Sequence, residues 1–280
     1  MEAATRINQM GPLLTRAERR IAEVILQRPQ LVAFGTVAEL ATAADAGGAT
    51  VVRLATKLGY DGFTSLQTSI QLDLAKQLRP AAVRIREQSP TDVVDTHLRL
   101  EVENVRATLQ GDSVLALPRV VELLAAPDAR VHVLSGDASR GVSRQFHDDL
   151  AALRPGVTEV GGNDVRVTRS TALMDGTDVV VAVDLRRYDA WLVEAVKRSK
   201  DAGARIVAVS DSLLSPLAVL ADENLVIVAA GVGPFDSHVG TLALFNLVIA
   251  GVAERLRASA TDRLERAEGA WRRAAALVDR

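Results

Sequence analysis

The stretch TVAELATAADAGGATVVRLATKLGYDGF, residues 36–63, decides the fold of the N-terminal part of the chain. It opens with Thr36 and Glu39, which have the spacing of a capping box, where each side chain satisfies a free backbone amide of the first helical turn. Apolar residues at helical spacing follow. The Gly47-Gly48 pair then interrupts them, and we expect it to supply the positive φ of a tight turn. A second short helix is predicted over about 49–58, so the stretch predicts a helix-turn-helix.

The second of these helices has an apolar inner face and a polar outer face. Thr50, Arg53 and Lys57 are three and four residues apart, so they line that outer face. A DNA major groove offers phosphates at its rim and guanine acceptors at its floor; Arg can contact either, whereas Lys mostly supplies charge. We predict that these three residues contact DNA, with the capped turn at Thr36 close to a phosphate. The same periodicity is equally typical of a solvated helix face in an all-α module that binds protein.

Composition indicates a two-domain intracellular protein. The chain has 280 residues, 48% of them apolar but only 3% aromatic, so its cores are built mainly from Ala, Val and Leu. It contains no cysteine, which excludes disulfides and thiolate metal sites and fits a reducing cytoplasm. Residues 1–90 carry 11 Lys and Arg against 8 Asp and Glu, whereas the remainder carries 22 against 27. A mildly basic N-terminal part on an acidic remainder suits a nucleic-acid reader.

Neither a secretory signal nor a membrane span is expected. The first residues, MEAATRINQMGPLL, lack a basic start followed by a long apolar core. The longest uncharged apolar run, residues 239–253, is shorter than a transmembrane helix. The sequence therefore predicts a cytoplasmic protein with no membrane partner.

The remaining N-terminal segments predict a small helical domain. Residues 1–14 look like a loose lead-in, and a second capping box at Thr15 starts a helix that Pro29 ends. A further helix is expected over 63–79. Pro80, Ser89 and Pro90 then mark a boundary. The predicted domains are 1–79, a helix-turn-helix domain; 80–112, a linker with a connecting helix over 92–110; 113–258, an α/β effector domain; and 259–280, a C-terminal helix.

From residue 113 the pattern changes to alternating helices and strands. Short apolar runs predict buried strands over 130–134, 157–160, 178–183, 205–209 and 225–229. Of these, the run DVVVAV is the most typical of a strand buried on both faces. Strands separated by helices predict a parallel sheet covered on both faces, so the fold class is an all-α helix-turn-helix domain followed by an α/β domain.

A ligand of such a sheet binds beyond the carboxyl ends of its strands, where polar turns follow several predicted strands. The hydroxyls and helix amides after the first strand suit an anion, and a pair of guanidinium groups after the third suits a phosphate or carboxylate. The predicted effector residues are Ser135, Ser139, Arg186, Arg187, Ser210, Ser212 and His238. Each has a plainer explanation, because serines cap helices, arginines pair with nearby aspartates, and a lone histidine is usually structural.

No cofactor, metal or catalytic residue is predicted. Gly231-Val232-Gly233 lacks the third glycine of a dinucleotide-binding fingerprint. The candidate bases for an isomerase, which must take a proton beside a carbonyl, are His238, Glu194 and Asp236, and none sits in a recognisable pair.

The two halves together resemble an RpiR-type (MurR/RpiR) bacterial transcriptional regulator with a C-terminal SIS (sugar isomerase) domain. The N-terminal resemblance lies in LTRAERRIAEVIL, in TVAELA and above all in ATVVRLATKLGYDGFTSLQ. The C-terminal resemblance lies in VHVLSGDAS, DVVVAV, SKDAGARIVAVSDS and SPLAVLAD. Taken over both halves, the resemblance implies a five-stranded parallel SIS sheet and a homodimer or homotetramer. It also implies binding to a double-stranded DNA operator, modulated by a phosphorylated sugar or similar metabolite.

One loop departs from the SIS pattern. SIS domains usually carry a Ser-x-Ser-Gly-x-Thr loop after the strand that matches DVVVAV, and its hydroxyls hold the sugar phosphate. This chain has Asp184-Leu185-Arg186-Arg187-Tyr188 there. We therefore expect an anionic effector that need not be a sugar phosphate.

Three functions are consistent with these patterns. The first is a transcription factor that responds to a small anionic ligand. The second is a sugar-phosphate isomerase with an appended helical domain, which the missing hydroxyl loop disfavours. The third is a protein-interaction module without a DNA role. DNA binding that weakens with salt separates the first from the other two, and turnover of a sugar phosphate identifies the second.

Overall fold

The computed structural model describes residues 3, 6–7, 10, 13–77, 81–87, 92–110, 113–213 and 215–278. The chain divides into two compact units, Met1–Val83 and Arg84–Arg280. Much of the predicted boundary, including Pro80, Ser89 and Pro90, lies outside the described residues.

The N-terminal unit is helical, as predicted. Its helices are α1 (Arg16–Gln27), α2 (Pro29–Phe34), α3 (Val37–Ala43), α4 (Gly48–Lys57) and α5 (Phe63–Gln77), and α6 (Ala81–Glu87) spans the division between the units. Both predicted capping boxes are present, at Thr15 and at Thr36. Pro29 ends α1 as expected, but it also starts α2, a helix that the sequence analysis missed. Proline is well tolerated at a first helical position, because its missing N–H would have no partner there.

The core of this unit reaches into the segment expected to be a loose lead-in. Its fully buried members include Ile21, Leu40, Leu54 and Leu66. Ala3, Ile7 and Leu14 are buried in the same cluster. The expectation of a loose lead-in is therefore wrong at these three residues, whose apolar side chains are removed from water by packing.

The turn between α3 and α4 differs from the predicted one. Asp45 has the positive φ, 46°, whereas Gly47 has a φ of −87° and Gly48 is already helical. Aspartate tolerates the left-handed region better than most residues, because its short polar side chain can bond locally. Gly48 instead permits close packing, since a Cβ there would lie 3.3 Å from Val37 Cγ1. Gly59, with φ 83°, ends α4 as predicted.

The C-terminal unit contains the predicted parallel sheet. Its strands are β1 (Arg130–Ser135), β2 (Val157–Glu159), β3 (Asp178–Val183), β4 (Arg205–Ser210) and β5 (Glu223–Val226), in the order β2-β1-β3-β4-β5. All four pairings are parallel. The last strand lies about two residues earlier than predicted. Ser135 pairs with Val183, so the loops after β1 and β3 leave the same edge of the sheet side by side.

Helices cover both faces of this sheet. They are α7 (Val93–Gln110), α8 (Ser113–Ala125), α9 (Arg140–Leu153), α10 (Asp164–Ala172), α11 (Ala190–Asp201), α12 (Pro216–Leu220), α13 (Val239–Arg255) and α14 (Arg257–Ala274). One apolar cluster joins α8, α9 and α13 to one face, and a second joins α10, α11 and α12 to the other. Phe146 of α9 stacks on Phe245 of α13 with ring centroids 4.4 Å apart. The short helices α10 and α12 were missed in the sequence.

Helix α7, expected to connect two domains, packs on the C-terminal unit through polar residues. Asn104 exchanges hydrogen bonds with the backbone of Ala230, Nδ2 to O at 2.7 Å and N to Oδ1 at 3.2 Å. Thr108 Oγ1 accepts from the Val228 amide at 2.9 Å. The apolar side of α7 faces water instead, and its Val94 and Leu98 are 79% and 60% exposed.

Within the described residues, no single helix is long and apolar enough to cross a membrane. The α13–α14 pair passes that test only when both helices are taken together, and the pair is bent by 104°.

Candidate functional site

The outer face of α4 is rotated relative to the predicted one. Its exposed residues are Ala49, Val52, Arg53 and Thr56. Their spacing of three and four places them side by side on one face. Thr50 and Lys57 are half-buried at its margin, and the predicted inner residues are buried: Val51, Leu54 and Leu58.

Lys57 is bound within the N-terminal unit. Its Nζ donates to Glu18 Oε2 and to the Leu13 carbonyl, both at 2.8 Å. The Glu18 side chain is only 12% exposed. Its Oε2 also accepts from the Thr15 amide at 2.8 Å. Lys57, and next the Thr15 amide, lower the pKa of Glu18. Glu18 therefore stays ionised, and it compensates the charge that Lys57 was expected to offer DNA.

The other predicted DNA contacts differ in how free they are. Arg53 is exposed, and its Nη2 donates to Thr50 Oγ1 at 3.2 Å. Thr36 is engaged in its own capping box, where its Oγ1 accepts from the Glu39 amide at 3.2 Å and Glu39 Oε2 accepts from the Thr36 amide at 2.7 Å. Among the predicted residues, Arg53 is thus the most available for DNA.

At the carboxyl edge of the sheet, the loop after β3 is organised by Asp184. The Asp184 carboxylate accepts from the amides of Leu185 and Asp189, both at 2.8 Å. Burial raises the pKa of Asp184 to about 6, and the charges of Asp189 and Asp211 push it the same way. A Cβ on Gly136 would lie 2.4 Å from this carboxyl group. Only glycine lets the loop after β1 approach so closely.

Asp189 occupies the place where an anion was expected. Its Oδ2 accepts from the Asp137 amide, in the turn that leads into α9, at 2.9 Å. It also accepts from Trp191 Nε1 at 3.3 Å. Helix N-termini favour anions, because their free amides and the helix dipole both point at them. The Asp189 carboxylate therefore already occupies the predicted anion site at the Asp137 amide.

The two arginines that replace the hydroxyl loop play different parts. Arg186 has a left-handed φ of 55°. Its Nε lies 3.2 Å from Asp236 Oδ1, and its Nη2 donates to the Ala229 carbonyl at 3.3 Å. Asp236 also pairs with Arg84 at 2.7 Å. Arg187 is exposed, and its side chain has no hydrogen bond within the described part of the chain. Arg186 thus takes the structural role that the sequence left open, and Arg187 is free.

The loop after β4 is closed on itself. Ser210 Oγ donates to the Ser212 carbonyl at 3.0 Å, and Ser215 Oγ donates to Ser210 Oγ at 2.9 Å. The Tyr188 hydroxyl donates to Asp211, and burial raises its pKa. Ser210 and Ser212 therefore hold the loop together, and Leu214 lies outside the described residues.

Four buried polar side-chain atoms at or near the starts of α9 and α13 have no hydrogen-bond partner among the described residues. They are Ser139 Oγ, Ser143 Oγ, Thr241 Oγ1 and His238 Nδ1, counted over the described residues. Burial lowers the pKa of His238, which also bonds to the backbone of Ala138. That bond and the Phe146–Phe245 stack set α9 and α13 side by side in register, so Ser143 and Thr241 lie about one turn before the stack. Neither residue is among the predicted effector residues, although Ser143 follows Ser139 by one helical turn.

The described residues offer neither a metal site nor an evident catalytic pair. No group of three or more His, Asp or Glu there could hold a metal ion. Of the candidate bases, Glu194 faces Arg198 on the surface of α11 at 3.6 Å, and Asp236 is held by two arginines.

Comparison with known proteins identifies both units. Residues 1–77 match the helix-turn-helix domain of the rpiR family, and residues 136–251 match the SIS domain. An uncharacterised HTH-type transcriptional regulator of Haemophilus influenzae is 29% identical over 228 residues, 79% of this chain and 78% of that protein. The HTH-type transcriptional regulator RpiR of Escherichia coli is 27% identical over 226 residues, 78% and 72% of the two chains.

The chain has the arrangement of an RpiR-type transcriptional regulator, an rpiR-family helix-turn-helix domain followed by a SIS domain.

Solved structures agree with this RpiR-type architecture. The sugar isomerase domain of an RpiR transcription factor from Sphaerobacter thermophilus has a TM-score of 0.59 at 28% identity, covering 63% of this chain and 98% of that one. The Vibrio vulnificus NanR protein, solved with ManNAc-6P, has a TM-score of 0.57 at 22% identity and covers 99% and 100% of the two chains. At 16% identity and a TM-score of 0.51, a putative sugar-phosphate isomerase of Listeria monocytogenes, covering 59% and 88%, shares the fold alone.

Proposed function

We propose that this RpiR-type regulator binds its operator through the exposed face of α4, with Arg53 as the main contact. The observation that carries this proposal is the exposure of Arg53 on the second helix of the helix-turn-helix, where only Thr50 bonds its guanidinium among the described residues. A guanidinium held in this way can reach guanine or phosphate. We also propose that this regulator acts in the cytoplasm, where it would meet its operator.

A selection of genomic DNA fragments with purified full-length protein tests this proposal. Enrichment of a few sites, lost with Arg53→Ala, supports it, and that variant should lose about 1–3 kcal/mol of operator affinity. Arg53→Lys keeps the charge but loses the bidentate geometry, so it should bind DNA with less discrimination. If nothing is enriched at low salt, or if Arg53→Ala enriches the same sites, operator reading by α4 is wrong.

We further propose that a small anionic effector binds at the carboxyl edge of the sheet, at the Asp137 amide that Asp189 now occupies. The exposed guanidinium of Arg187 and the unpartnered hydroxyl of Ser139 support this location. ManNAc-6P, carried by NanR, makes phosphorylated sugars the first class to test. The effector would then compete with Asp189 for the Asp137 amide.

Thermal melting with sugar phosphates and small carboxylates tests the effector. An anion that stabilises the wild type should stabilise Asp189→Asn more, because a neutral side chain competes less than a carboxylate for the Asp137 amide. Arg187→Ala should lose that stabilisation, whereas Arg166→Ala, an exposed arginine on α10, should keep it. An absence of stabilisation by every anion in both wild type and Asp189→Asn would exclude the anion site.

The regulator is also proposed to be a homo-oligomer that pairs through α7. An exposed apolar stripe there needs a partner surface, and it consists of Val94, Leu98 and Val102. Beside it, acidic and basic residues alternate, which makes the surface self-complementary for a second copy: Asp95, Arg99, Glu103 and Arg106. Leu98→Glu should lower the mass found by sedimentation, and unchanged mass would place the interface elsewhere. The mass of the wild type in the same sedimentation experiment distinguishes a dimer from a tetramer.

We propose that the SIS domain binds its ligand without turning it over. The ion pairs of Glu194 and Asp236 support this, since each carboxylate already has a cation. His238 is the one remaining base candidate. Isomerisation of any sugar phosphate that is lost in His238→Ala would establish the enzyme instead.

A further inference from the structure

The exposed face of α4 differs in chemistry from the polar face that the sequence predicted. It consists of two residues with apolar side chains, one guanidinium and one threonine: Ala49, Val52, Arg53 and Thr56. Val52 is 41% exposed, while its neighbour Val51 is buried. Val52 thus presents apolar surface on the second helix of the helix-turn-helix.

The threonine on this face has its hydroxyl proton engaged. Thr56 Oγ1 donates to the Val52 carbonyl one turn earlier, at 3.2 Å. This bond uses the one hydroxyl proton of Thr56, so Thr56 has no side-chain donor left for a base. Ala49 and Val52 offer only carbon to a DNA groove.

Polar alternatives at the margin of the face are already engaged. Lys57 is held by Glu18 and the Leu13 carbonyl. Thr50 Oγ1 accepts from Arg53. Arg53 is thus the one strong donor on this face among the described residues. In the major groove, the base features that match such a face are the guanine acceptors and the thymine C5-methyl group.

We infer that α4 reads its operator chiefly through thymine methyl groups, with Val52 as the specificity-determining residue and Arg53 supplying a single guanine contact. This inference rests on the operator reading proposed above. It predicts a half-site in which thymines flank a guanine, and it predicts that thymine is distinguished from uracil.

Replacement of single thymines by deoxyuridine tests this directly, since it removes only the methyl group. A selected operator duplex is titrated with full-length protein at fixed salt, with each thymine replaced in turn. At one or more positions of each half-site, affinity should fall about fourfold, the factor expected when one methyl group loses its burial. With Val52→Ala the same replacement should have little effect. Val165→Ala, an equally conservative change at an exposed valine of α10, should retain the full effect.

The outcomes separate this inference from the function beneath it. If the operator is bound specifically but no deoxyuridine lowers wild-type affinity, α4 does not recognise thymine methyl groups. The proposal that the protein is an operator-binding regulator is then unaffected. If uracil is disfavoured equally by wild type and Val52→Ala, Val52 is not the reader. If no site is selected at all, the proposed operator reading itself fails. The wild-type measurement decides the methyl question even where a variant fails to fold.

Discussion

Glu18 in the N-terminal unit and Asp184 in the C-terminal unit are both buried carboxylates beside a candidate site, yet their pKa values are displaced in opposite directions. Lys57 and the Thr15 amide lower the pKa of Glu18. Burial raises the pKa of Asp184 to about 6, although two backbone amides bond it. A buried carboxylate stays charged when a cation compensates its desolvation, and otherwise burial favours the neutral form.

The comparison shows two ways of occupying a functional surface. Glu18 neutralises a lysine that would otherwise add charge to the proposed DNA-binding face. Asp184 instead anchors a loop, through the Asp189 amide, and Asp189 then accepts from the Asp137 amide, where we propose that an anion binds. In both units, the chain's own carboxylates bond groups that a nucleic acid or an effector would engage in the proposed function.

Gly136→Ala should have the largest effect, because it removes the space that the Asp184 carboxyl group occupies. A Cβ 2.4 Å from that group must displace it from both amides. We expect a loss of about 3 kcal/mol in the free energy of unfolding, at the upper end for overpacking. Denaturant unfolding measures it. Gly141→Ala on α9 is the control, with no atom within 4 Å of the new Cβ. Equal stability of the two variants would contradict the close packing of Gly136 against the Asp184 carboxyl group.

Asp184→Asn should change how stability depends on pH. A folded-state pKa of about 6 lies above the value near 3.9 of an unfolded aspartate. The ionised group therefore destabilises the folded state above pH 6, and protonation relieves this penalty as the pH falls toward 4. The stability difference between variant and wild type should shift by about 2 kcal/mol between pH 7 and pH 4. A constant difference would mean that Asp184 titrates normally.

Glu18→Gln should have the smallest effect, on DNA binding rather than folding. Glutamine keeps the capping box, since it too can accept from the Thr15 amide. It removes the charge that holds Lys57. The logarithm of affinity should then fall more steeply with the logarithm of salt, by about 0.9 in slope, if Lys57 gains one phosphate contact. An unchanged slope would show that Lys57 does not reach DNA even when released.

The same variant also tests the opposite sign of the pH effect. The lowered pKa of Glu18 contributes stability above the unfolded value near 4.3, and this stability is lost as the pH falls through the folded pKa. On acidification, the wild type should therefore lose stability relative to Glu18→Gln. Relative to Asp184→Asn, it should gain stability over the same change.

Most of the fold could be predicted because its signals are local. Capping boxes, helical spacing and the run DVVVAV located the helix-turn-helix and the sheet, and both are confirmed. The missed helices α2, α10 and α12 are short, with five to nine residues, so their periodicity covers two and a half turns at most.

The site residues were harder, because their state depends on partners far away in the sequence. Glu18 lies 39 residues from Lys57, and Arg186 lies 50 residues before Asp236. Spacing along one helix correctly placed Arg53 on the surface but could not reveal that Lys57 is held. Likewise, nothing local marks Asp189 as the acceptor of the Asp137 amide.

The bonds from Asn104 and Thr108 have a practical consequence for isolating the SIS domain. These side chains bond the backbone of residues 228 and 230, just beyond the end of β5. Helix α7 thus holds the segment that follows the last strand. A fragment cut at residue 113 would leave those backbone groups without these partners, which favours association with another chain. It should aggregate, whereas one that begins ahead of α7 should stay in solution.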